Sequence, residues 1–219
     1  MGRPEGGYKL DGERIPGVTT ISGLLKPAGP LMHWSWEQGI AGRDYRQVRD
    51  EAAAAGTVMH GLIEQDWHGR SFDRASVDPE ILLKADHAFE AYKKWAAQTQ
   101  LRVTHPEVSL VSRTHRFGGT IDGALVGGDV ALLDFKSSNG IYQDMLVQVG
   151  GGYAILWEEH FSVPLTGMHL LRFSKPKAAD DPITFSHHYW GPEIFPIAKE
   201  QFLLLRRAYD LDKRLRGLT

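Results

Sequence analysis

Residues 117–138 read FGGTIDGALVGGDVALLDFKSS, and this stretch predicts two β-strands joined by a tight turn. The first predicted strand covers residues 120–126. The second covers residues 130–135 and is apolar almost throughout, as is typical of a strand covered on both faces. Between them, residues 127–129 are Gly-Gly-Asp, and glycine reaches the positive φ angles of tight turns without steric cost. The stretch therefore predicts a hairpin at the centre of a β-sheet.

Three charged side chains interrupt this apolar background: Asp122, Asp134 and Lys136. Side chains alternate across a strand, so Asp134 and Lys136 point to the same face of the sheet. If the two strands pair in register, Asp122 reaches the same end of the sheet. Carboxylate oxygens suit Mg²⁺ or Mn²⁺, and a neighbouring lysine can orient an attacking water or stabilise developing negative charge. A buried ion pair or a surface Asp–Lys ladder has the same spacing, and the spacing alone favours that simpler interpretation.

Composition narrows the class of protein. The chain has 219 residues, of which 42% are hydrophobic, so we expect one domain with a sizeable core. A formal net charge of -2 does not mark a nucleic-acid binder, although a groove can be basic locally. The absence of cysteine excludes disulfides and cysteine-ligated zinc or iron–sulfur centres. With no bilayer-length apolar run and no signal-peptide core, we expect a soluble, cytoplasmic protein with no membrane partner.

The rest of the chain predicts an α/β fold. Helices are predicted over residues 44–66, where Gly56 is an interruption, and over 79–98, 142–160 and 193–215. Strands are predicted over residues 101–111, 164–173 and 183–190. This order predicts a mixed central β-sheet flanked by helices. We expect one domain over residues 1–219, with a helical N-terminal elaboration over about residues 1–100.

The segments GGTID (118–122) and LDFKSS (133–138) resemble the split signature of the PD-(D/E)XK nuclease superfamily. They are most similar to its RecB-like branch, which includes phage, mitochondrial genome-maintenance and CRISPR-associated exonucleases. The resemblance implies a restriction-endonuclease-like core. It also implies metal ligands at Asp122 and Asp134, a further ligand in the Phe135 carbonyl, and Lys136 beside the attacking water. Several RecB-like nucleases carry a four-cysteine iron–sulfur cluster, which this cysteine-free chain cannot hold.

The segment AGTVMH (55–60) resembles the Gly-Thr-x-x-His element of the same branch, in which the histidine is a metal ligand delivered from a helix. The resemblance therefore implies His60 as a ligand, and an imidazole ligand tilts the preference from Mg²⁺ towards Mn²⁺. Glu64, one helical turn further on, either orients the imidazole or is solvated. Glu107 is either an accessory site residue, as the family implies, or a surface glutamate.

The segment LVQVGGGYAIL (146–156) resembles the Gln-x-x-x-Tyr motif of RecB-like nucleases, which implies that Gln148 and Tyr153 steady the lysine or the substrate phosphate. Here four residues separate the pair instead of three, and at about 100° per residue the extra position turns Tyr153 away from Gln148. Either the helix is distorted at glycines 150–152, or only Gln148 keeps the role. Such a run costs helix stability, about 1 kcal/mol per glycine relative to alanine, and suits close approach of the backbone to the sheet or to DNA.

Two smaller features leave alternatives open. Trp34 and Trp36 either pack in a small hydrophobic subcluster, which we favour, or present one ring for stacking on a nucleic-acid base. The segments around them, PGVTTI (16–21) and LMHWSW (31–36), resemble the N-terminal region of phage RecB-like exonucleases. His187 and His188 are adjacent on a predicted strand and face opposite sides, so they cannot share one metal ion.

The resemblance as a whole implies a metal-dependent DNA exonuclease that acts on single-stranded DNA or duplex ends in recombination, repair or processing. It further implies a recombination or replication protein as partner, in a bacterial host cell if the protein is phage-encoded. The alternatives are a structure-specific endonuclease, a non-cleaving DNA-binding or assembly protein on the same fold, and an unrelated domain with a coincidental Asp-x-Lys. The last alternative predicts that His60, Asp122 and Asp134 lie scattered in space.

Overall fold

The structure is a computed structural model that describes residues 4, 6–126, 130–174, 176 and 181–218. Helices flank a central sheet in a mixed α/β architecture, which confirms the predicted fold class. The strands are β1 (Lys9–Leu10), β2 (Glu13–Arg14), β3 (Arg102–Val103), β4 (Val108–Ser112), β5 (Phe117–Ile121), β6 (Gly123–Val126), β7 (Val130–Ser137), β8 (Leu165–Phe173) and β9 (Phe185–Trp190). The helices are α1 (Val18–Ser22), α2 (Ala28–Ile40), α3 (Tyr45–Trp67), α4 (Pro79–Gln98), α5 (Gln143–Leu146), α6 (Ala154–His160) and α7 (Ile194–Arg216), with 3₁₀ turns at Gly23–Leu25 and Arg74–Ser76 and a π-helical segment at Val147–Tyr153.

The central sheet has five strands in the order β3-β6-β7-β8-β9. Neighbours are antiparallel except β7 and β8, which run parallel. Parallel neighbours need a crossover connection, and α5, the π-helical segment and α6 supply it. The predicted central hairpin is the β6–β7 pair, and its predicted turn at residues 127–129 lies outside the described residues.

Strand β7 lies between two apolar clusters, and residues 131–135 are all buried. Leu132 packs in the cluster that includes residues of α6 and α7, whereas Leu133 and Phe135 pack in the cluster that includes residues of α3 and α4. Each fully buried aliphatic side chain contributes about 1.5–3 kcal/mol, so this strand is anchored from both sides. Alternation places Asp134 and Lys136 on the face of Leu132.

Two predicted strands are each divided in the structure. The strand predicted over residues 120–126 consists of the end of β5 and all of β6, with Asp122 between them. It is divided because β5 pairs with β4 in a separate two-stranded sheet, with one further bridge from Gly118 to Gly17, while β6 pairs with β3 and β7. The strand predicted over residues 101–111 likewise divides into β3 and β4. Glu107 precedes β4 with a φ angle of 50°, outside the β region.

The helix predicted over residues 142–160 is regular only at its ends. Its middle is the π-helical segment, in which each N–H pairs with the carbonyl five residues back. The glycines allow close approach to neighbouring elements: a Cβ on Gly151 would lie 2.5 Å from the Ala198 carbonyl oxygen of α7, and one on Gly152 would meet Val18 of α1 at the same distance. The sheet also lies close to these glycines, since a Cβ on Gly150 would lie 3.2 Å from Met168 Sδ of β8.

Helix α3 runs unbroken through Gly56, so the predicted interruption there is wrong. The Asp44 side chain caps the helix by accepting a hydrogen bond of 2.8 Å from the Arg46 backbone N–H. One glycine inside a helix lowers helix stability by about 1 kcal/mol relative to alanine. Met59 and Ile63 of α3 are buried in the apolar cluster that includes residues of α3 and α4, and their burial outweighs this loss.

The two tryptophans of α2 have different environments. Trp34 is half-buried and meets Tyr45 edge-on, with ring centroids 6.4 Å apart. Trp36 is 61% exposed and stacks only on His33 among the ring contacts described, so the predicted subcluster is wrong for this residue. Within the described residues, none of the helices combines the length and the apolar character needed to cross a membrane.

Candidate active site

Asp122 occupies the single position between β5 and β6, where the chain leaves the β4–β5 pair and joins the central sheet. Its Oδ2 accepts a hydrogen bond of 2.8 Å from the backbone N–H of Phe135 in β7. Its backbone carbonyl accepts one of 2.9 Å from the Glu107 N–H. With 7% of its surface exposed, Asp122 is held by two neighbouring segments of chain.

His60 extends from α3 to this carboxylate. Its Nδ1 lies 3.4 Å from Asp122 Oδ1 and 3.8 Å from Glu107 Oε1. In the part of the chain that the structure describes, these three residues offer ligand atoms that all lie within 4.8 Å of one another. Two atoms that each bind one Mg²⁺ at about 2.1 Å lie at most about 4.2 Å apart, so small movements would let this group share an ion. Two carboxylates with one imidazole are a donor set that fits Mg²⁺ or Mn²⁺.

Glu107 is the residue whose role the sequence left open between accessory and surface glutamate. Its side chain is 7% exposed, which contradicts the surface interpretation. Its backbone is in the left-handed region, with a φ angle of 50°, a conformation that costs a glutamate about 1–3 kcal/mol. That strained backbone turns the carboxylate towards His60 and Asp122. The signal available in the sequence was its resemblance to RecB-like nucleases, many of which carry a glutamate on the strand that precedes the Asp-bearing hairpin.

A second set of contacts lies next to the first. Lys136 Nζ is 2.6 Å from Asp134 Oδ2 and donates a hydrogen bond of 3.3 Å to Gln148 Oε1. The contact with Asp134 is an ion pair rather than a well-directed hydrogen bond. Gln148 Nε2 donates to the Tyr153 hydroxyl at 2.8 Å and lies 3.5 Å from Asp134 Oδ1. Asp134 itself is 1% exposed. These contacts fix the lysine ammonium at the end of β7.

The π-helical segment explains how Tyr153 reaches Gln148 in spite of the extra residue between them. In a π-helix the residue five positions on returns close to the same face, and Tyr153 is five positions after Gln148. Of the two alternatives for this motif, the distorted helix is the one that the structure contains.

Burial governs the ionisation of the site. It raises the pKa of Asp134 to about 6, an effect that the Lys136 ammonium partly offsets. Burial also raises the pKa of Asp122, and the positive charge of Lys136 opposes this shift. Burial raises the pKa of Glu107 more, and the negative charge of Asp122 adds to the effect of burial. Burial lowers the pKa of His60 to about 4, so the imidazole is neutral at pH 7, the form that binds metals. Three crowded carboxyls that resist ionisation and one neutral imidazole favour a bound cation.

The other predicted site residues lie as follows. Asp134 is beside the three residues whose ligand atoms converge, and its role as a ligand stays a prediction, as does that of the Phe135 carbonyl. The Phe135 ring points away, into the cluster with α3 and α4. Glu64 lines the hollow that also contains Glu107 and His60. The structure thus gathers His60, Asp122 and Asp134, contrary to the scattering that a coincidental Asp-x-Lys predicts.

The adjacent histidines of β9 face opposite sides, as predicted. His187 Nε2 lies 2.7 Å from His169 Nδ1, whereas His188 Nε2 lies 3.0 Å from Ser186 Oγ. Neither belongs to the group whose ligand atoms converge in the described chain.

Fold and site together define a mixed α/β protein with a buried group of carboxylates and one histidine that can hold a divalent cation.

No protein-family model matches the sequence, and comparison with curated proteins also finds no match. Among solved structures, the chain is similar to an alkaline exonuclease from Laribacter hongkongensis, LHK-Exo, at 13% identity over 77% of this chain and 92% of that one, with a TM-score of 0.36. The LHK-Exo complex with dAMP matches at 15% identity, the same coverage and a TM-score of 0.37. A protein called SSO0001 matches at 12% identity over 72% of this chain and 74% of that one, with a TM-score of 0.30. Superpositions this loose do not establish a function.

Proposed function

We propose that the protein is a metal-dependent deoxyribonuclease of the RecB-like branch of the PD-(D/E)XK superfamily, which hydrolyses phosphodiester bonds from a DNA end. The observation that carries the proposal is a convergence of side chains from separate parts of the chain. His60 of α3, Glu107 before β4 and Asp122 after β5 meet at one point, beside the Asp134–Lys136 pair of β7. The resemblance of residues 118–122 and 133–138 to the superfamily signature supports the same conclusion.

In this proposal His60, Asp122 and Glu107 hold one Mg²⁺ or Mn²⁺, with Asp134 and the Phe135 carbonyl as further candidate ligands. When bound, the cation supplies positive charge against the phosphate and lowers the pKa of a coordinated water. The buried carboxylates fit this requirement, because they are costly to ionise without a positive charge nearby.

Lys136 acts by charge and by hydrogen bonding. The Asp134 carboxylate is ionised above about pH 6 and keeps the ammonium beside the cation site. Gln148 holds the ammonium from the other side, and Tyr153 orients the Gln148 amide. An ammonium fixed in this way can direct a water towards a phosphorus atom and stabilise the negative charge that develops on the phosphate oxygens.

The test is a degradation assay with Mn²⁺ on linear DNA labelled at one end and on closed circular DNA. We expect the linear DNA alone to be degraded, and chelation of the cation to stop the reaction. Asp134→Ala and Lys136→Ala should each lower the rate by at least about 100-fold, because each removes charge placed at the reacting phosphate.

Lys199→Ala is the matched control, since Lys199 pairs with Glu158 on the surface at 2.9 Å, away from the site. Retained cleavage by a folded Asp134→Ala or Lys136→Ala protein would defeat the assignment. Cleavage of the closed circle would make the protein an endonuclease, and DNA binding without cleavage by the wild type would make it a binding or assembly protein.

A further inference from the structure

A groove of about 930 Å³ opens onto the candidate site. His60 and Lys136 lie on its wall near the cation-binding group, and Leu31 and Tyr142 line it further along. His60 also lines a second hollow, of about 530 Å³, together with Glu107 and Asp122. His60 therefore borders both hollows.

The walls of the groove are more apolar than a nuclease needs for phosphates alone. Leu31 is 56% exposed and Tyr142 is 52% exposed, so two large apolar side chains face solvent beside the site. Tyr142 precedes α5, and its ring lies 3.6 Å from the position that a Cβ on Gly140 would take. An exposed aromatic ring offers a flat face on which a nucleobase can stack.

The charged side chains of the groove do not give it a net positive charge that would attract phosphates. Its rim carries the Lys26–Asp144 pair, with Lys26 Nζ 3.7 Å from Asp144 Oδ2, and these opposite charges cancel. Lys136 is paired with Asp134. Half of the residues that line the groove are apolar, Leu31 and Tyr142 among them, and these side chains suit the flat faces of nucleobases better than a sugar–phosphate backbone.

We propose that this groove binds unpaired nucleotides of a DNA strand, with a base stacked on Tyr142 and packed against Leu31, and that it thereby selects single-stranded DNA or frayed ends over intact duplex. A duplex keeps its base faces inside its own stack, so only an unpaired base can offer a face to the tyrosine ring. The proposal rests on the proposed function, since it concerns the strand that the same site would cleave.

The test measures affinity without cleavage, with a fluorescent oligothymidylate and a hairpin duplex in the presence of EDTA. We expect the wild type to bind the single strand more tightly than the duplex. Tyr142→Ala should weaken single-strand binding by about 5- to 150-fold, the range that ring–base stacking gives, and leave its salt dependence unchanged. Tyr142→Phe should bind as the wild type does, because it keeps the ring.

Tyr189→Ala is the matched control, because Tyr189 is an exposed ring on β9 that does not line the groove. Thermal melting verifies that each variant is folded. Equal affinity for both DNA forms, an unchanged affinity in Tyr142→Ala, or an equal loss of affinity in Tyr189→Ala would overturn the proposal. If no nucleic acid binds, the proposal is also overturned, and a protein segment becomes the candidate ligand of the groove.

Cleavage is scored separately on the same proteins, so that the two proposals can fail independently. Degradation of DNA by the wild type, with the same single-strand preference in Tyr142→Ala, would refute the groove proposal alone. Tight single-strand binding that depends on Tyr142, without degradation by the wild type, would refute the proposed function alone.

Discussion

The Asp122 carboxylate is nearly buried, and its ionisation opposes folding when no cation is bound. Burial raises its pKa in the folded protein above the value near 4 of an unfolded chain. A carboxyl shifted in this direction contributes stability below the unfolded-state pKa and loses that contribution as the pH rises through the folded-state pKa. At pH 8 the metal-free protein therefore carries a free-energy cost at this position that the charge of Lys136 offsets only in part.

We expect Asp122→Asn to raise the free energy of unfolding of the metal-free protein by about 1–3 kcal/mol at pH 8. Asparagine keeps an oxygen that can accept the Phe135 N–H and removes the charge. The same variant should lose the stabilisation that Mn²⁺ gives to the wild type. Urea unfolding with and without Mn²⁺ measures both effects, and a less stable metal-free variant would contradict the electrostatic account.

The stabilisation by Mn²⁺ should itself depend on pH. Below the pKa of about 6 at Asp134, and below the raised values at Asp122 and Glu107, a cation must displace protons from the site. His60 does not compete, because burial lowers its pKa to about 4. We therefore expect Mn²⁺ to raise the melting temperature more at pH 8 than at pH 5.5. An equal shift at the two pH values would show that these carboxyls do not bind the ion.

Among individual residues, the sequence predicted four as members of the candidate site because each lies in a motif with a fixed spacing: His60, Asp122, Asp134 and Lys136. It left Glu107 open between two interpretations. The reason is physical: Glu107 reaches the site through a left-handed backbone conformation, which glutamate does not favour and no local pattern signals.

The π-helical segment depends on its glycines for packing. A Cβ on Gly151 would lie 2.5 Å from the Ala198 carbonyl oxygen and 2.8 Å from Phe202 Cβ, both in α7. We expect Gly151→Ala to destabilise the protein by about 1–3 kcal/mol, since α7 must move to admit the methyl group. Urea denaturation measures the change.

Gly39→Ala is the control for this substitution. Gly39 lies in α2, and a Cβ there would meet nothing within 4 Å. Alanine at that position should leave stability unchanged or raise it by up to about 1 kcal/mol. A Gly151→Ala protein as stable as Gly39→Ala would show that the contact between the π-helical segment and α7 is looser than the structure has it.

The sequence of residues 142–160 showed that the spacing of Gln148 and Tyr153 does not fit a regular helix, but it did not show how the chain accommodates the extra residue. The spacing of Gln148 and Tyr153 showed that a regular helix could not bring the pair together, and the glycines marked a place of close approach. Whether the extra residue is absorbed by a wider turn or rotates the tyrosine away depends on packing against α1 and α7, which are distant in the sequence.

For the molecule as a whole, the pattern of apolar residues was enough to predict a mixed sheet with β7 at its centre, because a strand buried on both faces reads as a continuous apolar run. The division of residues 120–126 at Asp122 was not predictable in the same way. The break exists because β5 and β6 pair with different partners, and pairing partners are set by long-range contacts. That break is what frees the Asp122 side chain to meet His60 and Glu107.

The central claim is that side chains from three separate segments hold one divalent cation beside Lys136. Anomalous diffraction at the manganese edge, from crystals soaked in Mn²⁺, tests it most directly. We predict one strong peak within bonding distance of His60 Nδ1 and of the carboxylates of Asp122 and Glu107. No peak at that point, or a peak held by other residues, would contradict the account.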